Sequence, residues 1–249
     1  MLIVAPGRLQ RSLAAALLIL AAVAAGPPRL GAEGRPVGSN PTVFAVETRS
    51  PMVALTFDDG PSPEFTPEIL ALLSRYHASA TFFVLGVEAR AYPRVLREIV
   101  AQGSEVESHD YNHANLPPLT AEAIRRHVVM GAEAIRAVLG EPPRFFRPPY
   151  GNMSPRVRSV IISEGETPVL WDLDTRDWSR PGSARIVARV LDHVRPGDIV
   201  LFHDGGGNRS ETVDALKVIL PALQERGLRP VTVRTLLAAG RPVHAWLAR

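Results

Sequence analysis

Two adjacent carboxylates, Asp58 and Asp59, are the first residues in this sequence whose types and spacing suit catalysis. They follow an apolar run and precede Gly60 and Pro61, so a sharp turn is expected directly after them. Two acids in one partly buried pocket have their pKa values pushed apart unless a cation lies between them. Asp before Gly is also a common turn residue that uses its side chain for backbone hydrogen bonds. The pair alone leaves a functional and a structural interpretation open.

His109 and His113 can share a metal ion if the chain curls between them. An extended strand would hold them roughly 13 Å apart, whereas one helical turn would bring their Cβ atoms to about 5–6 Å. Neutral imidazole suits zinc, and two histidines with one carboxylate leave a position for water or substrate. A zinc peptidase of the H-E-x-x-H type is disfavoured because Asp110 occupies the second place. In isolation, two surface histidines in a polar loop are the better explanation of this spacing. No role is assigned to the other histidines, which are His77, His127, His193 and His244.

Three further polar segments carry groups that suit a site. Arg147 offers a planar fork for a carboxylate and is stiffened by the prolines of 148–151. Segment 174–178 adds two acids and a tryptophan, and His203 precedes the glycines 205–207. A phosphate-binding P-loop is disfavoured because no G-K-[ST] follows those glycines. Each segment taken alone has a structural explanation as a rigid loop or a packed histidine.

The elements that would position these groups are short strands alternating with helical patterns. The predicted strands are 52–58, 80–85, 104–109, 145–147, 168–171, 199–203 and 230–233. The predicted helices are 67–77, 93–102, 121–139, 155–163, 184–193 and 211–226. This repetition predicts an α/β fold, a distorted (β/α) barrel of about seven parallel strands, with a doubly wound open sheet as the alternative. The polar groups follow strand ends, which converge on one rim of such a barrel, so we expect them to be neighbours.

Composition narrows the functional class. There are 28 basic and 25 acidic residues for a net charge of +3, and the arginines are scattered among the acids. Such scattering is typical of a solvated surface, so nucleic-acid binding is disfavoured. The absence of cysteine excludes disulfides and thiolate metal sites. With 46% hydrophobic residues the chain can build a sizeable core.

The N-terminal region predicts export. Arg8 and Arg11 precede an uncharged apolar stretch at 12–26, and small residues follow. This pattern is typical of a secretory signal, and the stretch is short for a membrane span. An uncleaved N-terminal anchor or a buried first helix are the alternatives. We therefore predict a signal peptide or anchor at 1–32, a Pro/Gly-rich linker at 33–50 and one domain at 51–249, secreted, periplasmic or in the cell envelope.

The ordered motifs together resemble a known family, the polysaccharide deacetylases, which is the NodB homology domain of carbohydrate esterase family 4. The segments that carry the resemblance are Thr56-Phe57-Asp58-Asp59-Gly60-Pro61, His109-x-x-x-His113, Arg147-Pro148-Pro149-Tyr150-Gly151, Asp174-x-x-Asp177-Trp178 and Leu201-x-His203. It covers roughly residues 51–237. The family implies a distorted barrel with one divalent metal that hydrolyses N-acetyl groups of a polysaccharide.

The resemblance implies a role for each matched position. Those roles are general base for Asp58, metal ligand for Asp59, His109 and His113, orientation of the base for Arg147, an oxyanion-binding backbone amide for Tyr150, walls of the acetyl-methyl pocket for Trp178 and Leu201, general acid for His203, and partner of that acid for Asp177. One position departs from the family, which usually has Ser or Thr where this chain has Asp110. A carboxylate there would either add negative charge beside the metal or reach another partner.

The function implied is metal-dependent removal of N-acetyl groups from peptidoglycan, a chitin-like oligomer or poly-N-acetylglucosamine. Zinc is the default ion for these ligand types, and cobalt, nickel or manganese are also compatible. The implied partner is an acetylated glycan, with membrane contact only through an uncleaved N-terminal segment. Two alternatives remain: a hydrolase of a small amide or imide, which needs a closed pocket, and a noncatalytic glycan-binding domain, which the filled motif positions disfavour.

Overall fold

A single sheet of parallel strands organises the part of the chain that the structure describes. The computed structural model describes residues 1–2 and 42–245, so residues 3–32 of the predicted signal or anchor and the first half of the predicted linker, 33–41, lie outside the described residues. Within the described ranges, none of the helices combines the length and apolar character that crossing a bilayer requires.

The strands are short, and most are joined by helices. They are β1 (Ala45–Glu47), β2 (Met52–Asp58), β3 (Thr81–Val84), β4 (Glu105–Ser108), β5 (Phe145–Phe146), β6 (Thr167–Pro168), β7 (Leu173–Asp174), β8 (Ile199–His203), β9 (Arg229–Val231) and β10 (Arg241–Val243). The helices are α1 (Phe65–Arg75), α2 (Gly86–Ala91), α3 (Pro93–Ala101), α4 (Ala121–Leu139), α5 (Pro155–Ser163), α6 (Ser183–Leu191), α7 (Ser210–Glu225) and α8 (Val233–Ala238).

The main sheet runs in the order β6-β5-β4-β3-β2-β8-β7, and β9 pairs with the start of β2. Every one of these pairings is parallel. The resulting half-barrel confirms the predicted distorted (β/α) barrel. The alternating pattern was recognisable in the sequence because helical crossovers are what connect parallel strands.

Strand β2 shows how the sheet separates two cores. Val53, Leu55 and Phe57 lie in a cluster with α1 and α7, whereas Ala54 lies in the cluster on the opposite, inner face. Phe57 stacks on two neighbouring rings at centroid distances of 5.0 and 5.5 Å. Because side chains alternate along a strand, Thr56 and Asp58 share the inner face with Ala54. The last inward position of this strand is therefore a carboxylate.

Helix α4 illustrates why the long crossovers form where they do. Thr120 accepts a hydrogen bond from the amide of Ala123, and Gly140 ends the helix in a left-handed conformation with φ of 87°. Ile124, Val128 and Ile135 recur at helical spacing and are buried. The helix agrees with the predicted range 121–139.

The structure differs from the sequence-based elements in several places, among them the short helices α2 and α8, which were not predicted. The predicted strand 168–171 is two short strands, β6 and β7, separated by residues 169–172. Residues of the predicted linker also belong to the fold, because β1 pairs antiparallel with β10 near the other end of the chain. Val43 is buried and forms a parallel bridge with Val169. A three-residue strand whose partner lies so far along the chain carries too weak a periodicity to be recognised.

Candidate metal centre and its flanking acid and base groups

Asp58 and Arg147 form a buried ion pair at the end of β2. Arg147 Nη1 donates to Asp58 Oδ1 and to Thr56 Oγ1, both at 2.7 Å. Both side chains are almost fully buried, at 2% and 0% exposure. Burial raises the pKa of Asp58 above its ordinary value, and the charge and hydrogen bond of Arg147 oppose that rise. The hydrogen bond fixes the orientation of the carboxylate, and its second oxygen, Oδ2, lies on the side of His109.

Further contacts hold the Arg147 guanidinium in this position. Its Nη2 donates to the carbonyl of Leu170 at 2.9 Å and its Nε to that of Val169 at 3.3 Å. The group also lies 4.0 Å from the ring centroid of Phe83, over its face. The segment between β6 and β7 thus serves as a backbone clamp for the arginine, which explains why it leaves the regular sheet.

Asp59, His109 and His113 meet at the same rim. Asp59 Oδ1 lies 3.5 Å from His109 Nε2 and 3.3 Å from His113 Nε2. One ligand atom from each residue falls within 4.8 Å of the other two. Asp59 has φ of 73°, so the left-handed turn after β2 brings this second carboxylate inward, as the sequence predicted. These are the three residues expected to share an ion.

The donor set fits a divalent metal. Asp59 Oδ1 is buried and accepts no hydrogen bond from any described residue. A buried carboxylate oxygen without a donor costs free energy, and coordination of a cation is one way to compensate that cost. Two imidazoles and one carboxylate, with room for further ligands, are typical of a catalytic zinc site.

The orientation of His109 is set by its second nitrogen. His109 Nδ1 lies 2.7 Å from the carbonyl oxygen of Arg147, and a carbonyl only accepts, so Nδ1 carries the hydrogen. The lone pair is then on Nε2, which faces Asp59. Burial lowers the pKa of His109 to about 4, so the ring is neutral and able to ligate at physiological pH.

His113 sits in a tight, strained loop. Its φ is 65° and that of Asp110 is 76°, both in the left-handed region that L-residues rarely adopt. The curl places the His113 ring 5.2 Å from that of His109, which is the condition under which the two histidines could share an ion. The ring of Tyr150 packs edge-on against His113 with centroids 4.4 Å apart.

Asp110 does not join this metal-ligand cluster. Its Oδ1 lies 3.0 Å from His127 Nδ1, and its Oδ2 accepts from the backbone amides of Asn112 and Ala114. Of the two expectations for this carboxylate, the structure supports the second, a partner other than the metal. That partner is a histidine to which the sequence assigned no role.

His203 and Asp177 form a second ion pair across the rim. His203 Nδ1 and Asp177 Oδ1 are 2.7 Å apart, and Asp177 Oδ2 accepts from the His203 amide and from Thr212 Oγ1, both at 2.8 Å. Burial alone would lower the pKa of His203, but the hydrogen bond and charge of Asp177 outweigh it. With the charges of Asp58 and Asp59 added, they raise the pKa to about 9. The ring is therefore protonated at neutral pH.

The glycines after His203 lie against the Asp59 turn. A Cβ at Gly205 would fall 2.1 Å from the Asp59 carbonyl oxygen, and one at Gly206 would fall 2.6 Å from Asp59 Oδ2. Arg209 donates to the carbonyls of both glycines and holds their loop. The sequence disfavoured phosphate binding here, and the observed use of the glycines is close backbone packing.

Asp204 is a further buried acid beside this turn. Its amide donates to the Asp58 carbonyl at 3.1 Å, and its Oδ2 accepts from Thr66 Oγ1. Burial raises its pKa to about 7, and the charges of Asp59 and Asp58 add to that rise. Sequence analysis did not select it, although its position next to His203 offered a signal.

The other matched residues surround the rim. Tyr150 is in a 3₁₀ turn with φ of 61° and is 62% exposed, while Trp178 follows Asp177 in another 3₁₀ turn and is 53% exposed. Leu201 is buried in β8, where it pairs with Thr56 and Asp174. Exposed Tyr and Trp rings offer apolar contact area together with a polar group, which suits an interface with a partly polar partner.

Some supporting residues escaped sequence analysis. Thr56 lies two residues before Asp58, so strand alternation alone could have placed it beside Arg147. Thr212 and His127 lie on helices, and their contacts depend on how those helices are rotated against the sheet. No local pattern carries that information.

Comparison with known proteins agrees with this geometry. The polysaccharide deacetylase family model matches residues 45–169. A chitooligosaccharide deacetylase of Sinorhizobium fredii is 43% identical over 197 residues, which cover 75% of this chain and 92% of the relative. A solved peptidoglycan N-acetylglucosamine deacetylase has a TM-score of 0.76 and 32% identity, covering 82% of this chain and 96% of its own. A carbohydrate esterase family 4 pseudoenzyme from Bacillus anthracis has a TM-score of 0.75 and 30% identity, covering 82% and 71%. Because a pseudoenzyme shares the architecture, the fold does not by itself establish catalysis.

Proposed function

We propose a function from one premise: this chain belongs to the polysaccharide deacetylase family. The protein hydrolyses the N-acetyl groups of an acetylated glycan and needs one divalent metal ion to do so. The observation that supports this most strongly is that three potential metal ligands meet at one rim, between two ion pairs. One pair holds a candidate base, Asp58, and the other holds a candidate acid, His203. A noncatalytic glycan-binding protein would have no use for either ion pair.

Asp59, His109 and His113 are the residues that would hold the ion. Zinc is the first choice because neutral imidazole and carboxylate both suit it, with cobalt, nickel or manganese as substitutes. When bound, a divalent ion supplies Lewis acidity to the amide carbonyl and lowers the pKa of a coordinated water to about 7. The neutral state of His109 and the free Oδ1 of Asp59 support this assignment.

Asp58 is the proposed general base. One of its oxygens accepts from Arg147, and the other lies 3.8 Å from His109 Nε2, on the side of the metal ligands. Its task is to accept the proton of the water that attacks the acetyl carbon. Arg147 keeps the carboxylate ionised and aimed, because a buried carboxylate without a cation would take up a proton instead.

His203 is the proposed general acid. Its Nε2, opposite the nitrogen bonded to Asp177, delivers a proton to the amide nitrogen as the C–N bond breaks. Asp177 keeps the ring protonated until that step, since its charge raises the pKa of His203 to about 9. The balance is one amide and one water in, and acetate and the protonated sugar amine out; the proton that Asp58 takes from the water offsets the proton that His203 gives up.

Three residues are proposed to position the acetyl group. The Tyr150 backbone amide, in its left-handed turn, would donate to the oxyanion that develops on the carbonyl oxygen. Trp178 and Leu201 would line the pocket for the acetyl methyl group. Exposed Tyr150 and Trp178 also favour a substrate that lies along an open surface over a small amide in a closed pocket.

Export is proposed from the sequence of residues 1–32, which is typical of a secretory signal or N-terminal anchor ahead of the linker at 33–50. The chain would then act outside the cytoplasm, where glycan polymers are found. Determination of the mature N-terminus from the native host tests this, since a start near Met1 would exclude cleavage.

An acetate-release assay tests the central proposal. Metal-free and zinc-loaded protein would be incubated with N-acetylated and O-acetylated glycans, including chitin oligomers, peptidoglycan fragments and poly-N-acetylglucosamine. We expect acetate from at least one N-acetylated glycan, loss of release after chelation, and recovery with zinc. Undiminished release from rigorously metal-free protein would reject the metal scheme, and glycan binding without release would favour the noncatalytic alternative.

A further inference from the structure

We propose that Asp110 and His127 form a positioning pair that fixes the shape of the loop carrying His113 and so pre-organises the metal-ligand set. The inference rests on the proposed function, because it treats that set as a working metal site. Neither side chain is proposed to touch the metal or the glycan.

Asp110 holds the loop from one side through its Oδ2. This oxygen accepts from the amide of Ala114 at 2.8 Å and from that of Asn112 at 3.2 Å, the two residues that flank His113. Both Asp110 and His113 have positive φ, a conformation that persists only where surrounding contacts over-determine it. The carboxylate provides such contacts at the residues next to the ligand.

His127 holds Asp110 through its other oxygen. Asp110 is fully buried, and its Oδ1 lies 3.0 Å from His127 Nδ1 on α4. A carboxylate only accepts, so the Nδ1 of His127 carries the hydrogen. Without this donor, Oδ1 would be buried and unpaired, and the carboxylate would gain by rotating or taking up water. Either change would release the two loop amides.

The backbone of the loop is also anchored, to helices α2 and α4. Gly86 at the start of α2 donates to the Asp110 carbonyl at 3.0 Å, and Val87 donates to the Tyr111 carbonyl at 2.9 Å. A Cβ at Gly131 of α4 would lie 3.1 Å from the carbonyl carbon and oxygen of Asp110. Helix α4 therefore meets the loop by close packing at Gly131 and by one side-chain bond at His127.

Replacing Asp110 by a residue with a single side-chain oxygen makes the pair testable. A serine or threonine hydroxyl has one oxygen, which can serve the loop amides but cannot at the same time reach His127. The contribution of His127 should therefore depend on Asp110. That dependence is a thermodynamic coupling, which a double-mutant cycle measures.

The experiment compares wild type, His127→Ala, Asp110→Ser and the double variant, with zinc affinity measured by competition with a chromophoric chelator. We expect His127→Ala to weaken zinc binding by about 10-fold, the lower end of the effect of losing a group bonded to a metal ligand, because His127 acts through Asp110. In the Asp110→Ser background the same change should have less than about a twofold effect. His127→Asn should recover most of the affinity, because its amide nitrogen can occupy the place of Nδ1.

Two further readouts separate positioning from general stability. The visible spectrum of the cobalt-substituted protein should change in His127→Ala, because the ligand geometry changes, and return in His127→Asn. His193→Ala is the matched control, since His193 lies just after α6 and its Nδ1 bonds to the Arg189 carbonyl of that helix. This control should leave zinc affinity and the cobalt spectrum unchanged.

An unchanged zinc affinity in folded His127→Ala, or an equal loss in the Asp110→Ser background, would overturn the inference. Amide hydrogen exchange at Ala114 in metal-free protein is an independent test, because the inference requires faster exchange in His127→Ala. If wild type binds zinc but releases no acetate, the proposed function fails while the affinity cycle still decides on the pair. If wild type binds no zinc, the metal proposal fails and unchanged Ala114 exchange would reject the pair.

Discussion

Strand β4 brings ionisable side chains to both ends of the inner face of the sheet, and the two ends treat them differently. Glu105 and Glu107 point inward near its start, and His109 follows directly after its end. Val106, between the two acids, faces the helices instead. The two-residue alternation thus places carboxylates at the start of the strand, here called the lower end, and a candidate metal ligand after its last residue, here called the upper end.

The lower end supplies donors to three of the four carboxylate oxygens of Glu105 and Glu107, and leaves Glu107 Oε1 buried without a hydrogen bond. Glu105 accepts from Thr81 Oγ1 at 2.9 Å and from Arg234 Nε at 2.8 Å. Glu107 Oε2 accepts from the amides of Arg144 and Phe145 at 2.6 and 2.7 Å. Burial raises the pKa of Glu107 to about 8, and the charge of Glu105 adds to the rise. Both acids line a cleft of about 430 Å³, where both oxygens of Glu105 and the Oε2 of Glu107 accept hydrogen bonds and Glu107 is mostly neutral at pH 7.

The upper end leaves acceptor atoms facing one another. Asp59 Oδ1 has no donor, and His109 Nε2 and His113 Nε2 both point at it. Among residues 42–245, these three form the one group of histidines and acids whose ligand atoms lie within 4.8 Å of each other. Burial of carboxylates therefore does not distinguish a metal site from a structural network. What distinguishes a metal site is that several acceptor atoms face one another with no hydrogen between them.

The largest effect that separates the two ends should come from Asp58→Asn. The amide keeps the shape of the side chain but cannot take a proton, so we expect turnover to fall by roughly 10²–10⁴-fold while zinc stays bound. Glu107→Gln makes the same isosteric change at the lower end and should leave kcat within about twofold. Initial rates of acetate release and metal content measure both. Equal losses in the two variants, or an unimpaired Asp58→Asn, would contradict the base assignment.

His113→Ala should weaken metal binding by more than the roughly 10–100-fold expected for an outer partner, since a ligand itself is lost. The His113 side chain is partly exposed, so the fold should tolerate the change. Chelator competition gives the affinity, and acetate release should fall in parallel at limiting zinc. Full zinc occupancy with unchanged affinity would remove His113 from the ligand set.

Asp177→Asn should move the alkaline limit of activity. In wild type the pKa of His203 is raised to about 9, so the acid stays protonated below that pH and turnover falls as pH rises through it. Removing the negative charge lowers this pKa, so the fall should begin at lower pH by at least about one unit. The pH profile of kcat measures the shift. An unmoved alkaline limb would show that another group sets it.

The smallest effect on activity, and a distinct one on stability, is expected from Glu107→Gln. The pKa of Glu107 is raised to about 8, so the folded state keeps a proton that the unfolded chain loses above its ordinary value of 4.5. The proton stabilises the fold fully below pH 4.5, and this contribution is lost as pH rises to about 8, at up to about 1.4 kcal/mol per pH unit. Gln does not titrate, so the variant should lose less unfolding free energy between pH 5 and 8. Denaturant titrations at several pH values test this, and parallel curves for both proteins would contradict it.

Much of the upper end could be predicted from sequence because strand ends in a parallel barrel must meet. Asp58 and His203 each end an apolar run, His109 ends the predicted strand 104–109, and the order of the motifs supplied the rest. The lower end was not predicted, since Glu105 and Glu107 sit inside a strand, where an acid gives no pattern of its own. The His127 partner of Asp110 was missed for a similar reason, because it depends on the rotation of α4. The role of each matched residue stays a prediction until the variants are made.

The contact between Gly205 and the Asp59 turn has a practical use in judging relatives. Chains of this architecture are normally checked for activity by asking whether the acids and imidazoles are present. A side chain in place of Gly205 would push the Asp59 carbonyl away, since even its first carbon would stand 2.1 Å from that oxygen. A relative could therefore keep every reactive group and still have a displaced ligand. Surveys that separate active enzymes from inactive relatives should therefore check for glycine at this position as well as for the reactive groups.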